Sequence, residues 1–134
     1  MTNERRLTDF EGEWRISRII APVQGPEAEF EGIAVWTVAP GGMSYREAGL
    51  MTVADHPPMQ AERQYFWAND LSVFFDDGRF FHKVPSGGGQ ARHWCAPDDY
   101  LITYEFEHWP RFIVQWQVKG PRKDYRATTK YQRC

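Results

Sequence analysis

Alternation of apolar and polar residues at period two runs along almost the whole chain, and nothing constrains its folding more. Such alternation describes half-buried β-strands. Ten segments carry it, roughly 10–21, 30–39, 43–52, 61–68, 71–76, 79–84, 91–95, 100–107, 111–119 and 125–133. Short turn sequences separate them. Asp77-Gly78 has the composition of a tight hairpin, and Ala96-Pro97-Asp98-Asp99 and His108-Trp109-Pro110 are further turns. If the hairpins close at these turns, Phe75 faces Phe80 and Val73 faces His82, and Cys95 faces Tyr100 and His93 faces Ile102. At the third turn Phe106 faces Phe112, Tyr104 faces Val114 and Ile102 faces Trp116. One face can be carried through all of these turns without a parity error. A slip of one residue would put the aromatic row in water. The expectation is an all-β fold, a closed up-and-down antiparallel barrel of about ten strands, in one domain spanning 1–134. No window carries a convincing helical period.

The inward face collects many of the six Trp, six Tyr and nine Phe residues, an aromatic content of 16% that needs an interior or a guest to cover it. The outward face is polar, with Ile19, Phe66, Phe74, Phe81, Trp94 and Ile113 as exceptions. Phe74, Phe81 and Trp94 together suggest a homodimer contact, or a patch covered by the N-terminus or a loop.

Net charge is −2, which gives no basic footprint for nucleic acid. No apolar run approaches the roughly 20 residues of a membrane span. The start of the chain has no secretion-signal pattern. Cys95 and Cys134 make no stapling pattern. The expectation is a cytoplasmic protein without disulfides.

Gly12-Glu13-Trp14 resembles the Gly-x-Trp start of lipocalin-type and fatty-acid-binding-type (calycin) barrels. That resemblance implies a Trp plugging the closed end of the barrel and a late Arg packed across it. Arg133, two residues after Tyr131, matches that Arg. Over nearly its whole length the chain resembles a family of unknown function, DUF6314. This resemblance rests on Gly12, Trp14, Arg18, Tyr45, Glu47, Gly49, Arg63, Tyr65 and Trp67, then Asp77, Gly78, Arg79, His82, His93, Cys95 and Tyr100, and finally Trp116, Gly120, Pro121, Lys123, Asp124 and Tyr131. It implies a lipocalin-like barrel and brings no activity.

The inward face also holds charges that a plain core would not select: Arg18, Glu47, Arg63, His82, His93 and Arg133. Burying an unpaired charge costs several kcal/mol, so these groups pair with one another, reach water, or meet a ligand. In the pairing reading Glu47 satisfies Arg18 or Arg63, with Tyr45 or Tyr65 completing the network. In the binding reading the arginines hold the anionic head of a small amphipathic molecule and the aromatic wall takes its body. Candidate ligand-binding residues are Arg18, Tyr45, Glu47, Arg63, Tyr65, Trp67, His82, His93, Cys95, Tyr104, Trp116 and Tyr131. An enzyme doing acid–base chemistry with Glu47, Tyr65, Arg63 and His82 or His93 is the alternative, as is a barrel filled by its own side chains. His93-x-Cys95 with His82 contains zinc-type ligands, and a lone His is a haem ligand in some barrels. The spacing matches no metal signature, and neither metal nor cofactor is assigned.

Overall fold

A computed structural model describes residues 4–134. A 3-10 turn, Leu7–Phe10, precedes ten strands: β1 (Gly12–Pro22), β2 (Ala28–Ala39), β3 (Gly42–Val53), β4 (Met59–Ala68), β5 (Ser72–Phe75), β6 (Phe80–Lys83), β7 (Gly89–Cys95), β8 (Asp98–Glu105), β9 (Phe112–Lys119) and β10 (Asp124–Arg133). They form one antiparallel sheet in the order β6-β5-β4-β3-β2-β1-β10-β9-β8-β7. The sheet curls until β6 lies beside β7, where Phe81 and His93 bring their rings to 5.2 Å. No ladder joins those two strands, so the barrel is nearly closed, with a seam.

The expected parity holds for most of the sheet. Val73 pairs with His82, Tyr104 with Val114 and Ile102 with Trp116. Two hairpins differ in detail. Between β7 and β8 the turn is only Ala96 and Pro97, so Cys95 faces Asp98 and His93 faces Tyr100. Asp98 and Asp99 join the strand through the ladders to β7 and β9, and cations lie beside their carboxylates: Lys123 is 3.4 Å from Asp98 and Arg92 is 3.2 Å from Asp99. The shift is two residues, so each side chain keeps its face.

The β5–β6 hairpin departs further. Its loop is Asp76–Gly78, closed by Phe75 N–H to the Arg79 carbonyl at 2.8 Å, with Gly78 at φ +91°. Phe80 therefore pairs with Phe74 on the outside and is 52% exposed. One extra residue, Phe81, then bulges into β6 and restores the His82 register. Phe81 points inward and is 1% exposed. This corrects the expectation that Phe81 lies outside with Phe74 and Trp94. The outer aromatic cluster is Phe66, Phe74 and Phe80, and a dimer contact built on Phe81 loses its middle ring.

One end of the barrel is sealed. Trp14 and Phe10 are fully buried, and the Trp14 indole N–H donates to the Phe10 carbonyl at 2.7 Å. The Phe10 ring touches Trp36, Trp67, Trp109 and Phe112 at centroid distances of 5.1 to 5.6 Å. Arg133 lies 4.0 Å over the Trp14 ring and donates to the Glu11 and Asp9 carbonyls at 2.5 and 2.7 Å. The late arginine thus does what the calycin resemblance implies.

Gly32 and Gly49 face each other across β2 and β3. A Cβ built on Gly32 would run into the Ala48 carbonyl, and one built on Gly49 into the Glu31 carbonyl. The two strands draw together there because neither residue has a side chain. Gly49→Ala is expected to lower stability by about 1–3 kcal/mol, the usual range for overpacking, read as a lower urea midpoint with unchanged slope.

Candidate functional site

Midway along the barrel the apolar filling stops at a polar layer. Arg18 on β1 donates to both oxygens of Glu47 on β3, at 2.6 and 3.0 Å, and its Nε donates to the Thr129 hydroxyl on β10 at 2.7 Å. Arg18, Glu47 and Thr129 are all buried. The Tyr45 hydroxyl donates to Glu47 Oε2 at 2.5 Å and lies 2.8 Å from the Tyr131 hydroxyl. Cross-strand register brings these groups together: Arg18 pairs with Thr129, and Glu47 with Arg63.

Arg63 on β4 is the odd member. Its Nε lies 3.6 Å from Glu47 Oε1, too long for a hydrogen bond, and its side chain is 31% exposed. Its guanidinium sits 5.2 Å from the Trp116 ring centroid. Two guanidiniums therefore share one carboxylate, whose oxygens already serve Arg18 and Tyr45.

Beyond this layer, toward the end opposite Trp14, the side chains are half-buried aromatics: Tyr65, Phe75, His93, Tyr100 and Trp116. Phe81 is at their centre. Its ring touches Phe75 at 4.5 Å, Trp116 at 5.4 Å, and Tyr65 and Tyr100 at 5.9 Å.

Of the candidate residues, Arg18, Tyr45, Glu47, Tyr131 and Arg63 form the polar layer, and Tyr65, Trp116 and His93 surround Phe81 in the half beyond it. His82 and Tyr104 form a buried pair, with the Tyr104 hydroxyl 2.8 Å from His82 Nε2. Trp67 belongs to the sealed half, against Phe10 at 5.2 Å. Cys95, the last residue of β7, is exposed. Among the described residues the metal-ligand types gather only at Glu105, Glu107 and His108, all exposed, so His82, His93 and Cys95 do not form a cluster. Thr129 and Phe81 are additions to the candidates. The β1–β10 register sets Thr129 opposite Arg18, a closure no turn in the sequence specifies, and the bulge carrying Phe81 had no sequence signal.

Burial alone raises the Glu47 carboxyl. Arg18, bonded to both oxygens, and then Arg63 and Tyr45, override burial and hold it below the ordinary carboxylate range. Burial pushes the Tyr45, Tyr104 and Tyr131 hydroxyls up, so they stay protonated. Burial, with the nearby His93, pushes His82 down to about 3.

The chain belongs to DUF6314. The model of that family of unknown function matches residues 10–133. No curated protein matches the sequence. Among solved structures, the S-type phycobiliprotein lyase CPES from Guillardia theta has the same fold, with a TM-score of 0.66 over 96% of this chain and 90% of that chain, at 10% identity. This DUF6314 barrel is therefore lipocalin-like, and no helix among its described residues is long and apolar enough to cross a membrane.

Both buried groups make stability fall with acid, in different windows. His82, depressed from 6.5 to about 3, stays neutral in the folded state while the unfolded chain takes up its proton. Its contribution is complete above about pH 6.5 and declines below it, by up to about 1.4 kcal/mol per pH unit. That of Glu47, also depressed, is complete above about pH 4.5 and is lost below that value. Urea unfolding followed from pH 7 to 3 should show both, and His82→Leu should remove the decline between about pH 6 and 5.

Proposed function

We propose that the open half of the barrel binds a small amphipathic anion, with Arg63 taking its head group and Tyr65, Phe75 and Trp116 its apolar body. The charge balance of the polar layer carries this reading. Arg18 takes both Glu47 oxygens, so two guanidiniums share one carboxylate and leave a net positive charge at Arg63, which meets Glu47 only at 3.6 Å, is part exposed, and is set against an aromatic wall. An arginine in that setting presents a planar fork suited to a carboxylate. The architecture has the same fold as a phycobiliprotein lyase, which agrees with a role built around a small molecule.

The self-filled reading suits the other half, where Phe10, Trp14 and Trp36 are fully buried against one another. Acid–base catalysis by Glu47 finds less support, because both its oxygens are already committed and Arg18 holds it ionised.

Titration with the fluorescent anion 1-anilinonaphthalene-8-sulfonate tests the proposal. The wild-type protein should bind it, and Arg63→Met should weaken binding by about tenfold or more, as expected for a lost charge-assisted hydrogen bond. Lys130→Met, an exposed cation on the outer surface, should leave binding unchanged. Equal affinity in the wild type and Arg63→Met would sink the assignment.

A further inference from the structure

Two imidazoles flank Phe81. The rings of His82 and His93 stand nearly perpendicular to it, at 86° and 81°, with centroids 4.4 and 5.2 Å away. His82 is 3% exposed. Its Nε2 is bonded to the Tyr104 hydroxyl, which has no other hydrogen-bond partner among the described residues. The Tyr104 proton therefore goes to Nε2, and neutral His82 carries its own hydrogen on Nδ1. That Nδ1 is buried with no hydrogen-bond partner, and so is Nε2 of His93. Among the described residues Arg5 Nε and Trp36 Nε1 are also buried without a partner, but only the two imidazole nitrogens belong to rings packed on one side chain, and that coincidence calls for a physical reason.

We infer that the His82–His93 pair is a second, uncharged polar subsite of this barrel, taking a hydroxyl group of the ligand whose anionic end lies on Arg63. The inference rests on the Arg63 reading. A hydroxyl both accepts and donates, so it can take the His82 Nδ1–H and give its own proton to an acceptor nitrogen of the kind His93 Nε2 offers. A carbonyl meets the donor alone. A second anion gains no charge partner, because burial keeps His82 neutral. The span between the two subsites is lined by rings in contact, from Arg63 over Trp116 at 5.2 Å, to Phe81 at 5.4 Å, to His93 at 5.2 Å. The ligand class is thus an acid at one end, a flat apolar body, and a hydroxyl at the other end. Phe81 packs against both imidazoles, so a ligand reaching them must displace this ring. It sits on the bulge of β6, a four-residue strand with no ladder to β7.

The test uses two rigid acids that differ by one hydroxyl, biphenyl-4-carboxylate and 4′-hydroxybiphenyl-4-carboxylate, each displacing bound 1-anilinonaphthalene-8-sulfonate. The hydroxylated acid should bind about tenfold more tightly to the wild-type protein, the worth of one or two net hydrogen bonds. His93→Phe should abolish that preference. His82→Leu should do the same, but it strands the Tyr104 hydroxyl, so the His93 variant carries the test if His82→Leu does not fold. Equal affinities in the wild type would overturn the inference and leave the pair to an ordered water. Failure of both acids to displace the probe would also overturn it. The Arg63 reading stands or falls separately, on the probe alone.

Discussion

A guanidinium and a carboxylate, Arg18 and Glu47, are locked together where the middle of a hydrophobic core would be. Taking two ions out of water costs several kcal/mol each, and only close geometry with further hydrogen bonds offsets it. Here the offset is nearly complete. Two parallel bonds join the pair, Thr129 takes the third donor of Arg18, and Tyr45 occupies the second oxygen of Glu47. Removing either ion alone would strand the other, at a cost of about 3–5 kcal/mol. The pair therefore fixes where β1, β3 and β10 stand relative to one another, and with them the layer that divides the interior.

Below that layer the barrel is filled by its own aromatic side chains. Phe10 is the hub of an aromatic cluster, and Trp14 is capped by Arg133, whose guanidinium also satisfies two carbonyls of the entering chain. Above the layer the same type of residue is left half covered. Tyr65, Phe75, Tyr100 and Trp116 surround a single plug, Phe81. The asymmetry follows from the chain path. The N-terminal segment crosses the lower end, with the Arg5 N–H bonded to the Ser86 carbonyl at 2.7 Å and the Arg5 guanidinium over Trp109. Among the described residues nothing comparable crosses the upper end.

Alternation alone was enough to read the fold, because side-chain parity in a strand is rigid. It also exposed the unusual charges, since Arg18, Glu47 and Arg63 break an apolar face. Two kinds of information were not legible. The first is anything that changes the residue count of a hairpin. The three-residue loop before Arg79 and the extra residue at Phe81 displace each other's effect, so His82 was placed correctly while Phe80 and Phe81 were exchanged. Asp98 and Asp99 read as turn residues, but the turn is two residues shorter and both pair in the ladder, with Lys123 and Arg92 beside their carboxylates. The second is which of the two arginines holds Glu47 by hydrogen bonds and which meets it only at longer range. Arg18 and Arg63 look alike in sequence, and a difference of about an ångström in their distances to Glu47 Oε1, 2.6 against 3.6 Å, decides between them.

The seam ties these features together. A barrel opens most cheaply where no backbone hydrogen bonds have to break, and in this sheet that place is between β6 and β7. Phe81 and His82 belong to β6, and His93 to β7. The unsatisfied imidazole nitrogens and the ring packed against both imidazoles thus sit on the two strands freest to move apart. Arg63, by contrast, lies on β4, inside the continuous ladder and beside the Arg18–Glu47 pair. A guest entering from the open end would find its charge partner on the rigid wall and its neutral partners on the movable one. Such a division lets the seam adjust to a ligand without disturbing the buried ions that hold the barrel in register.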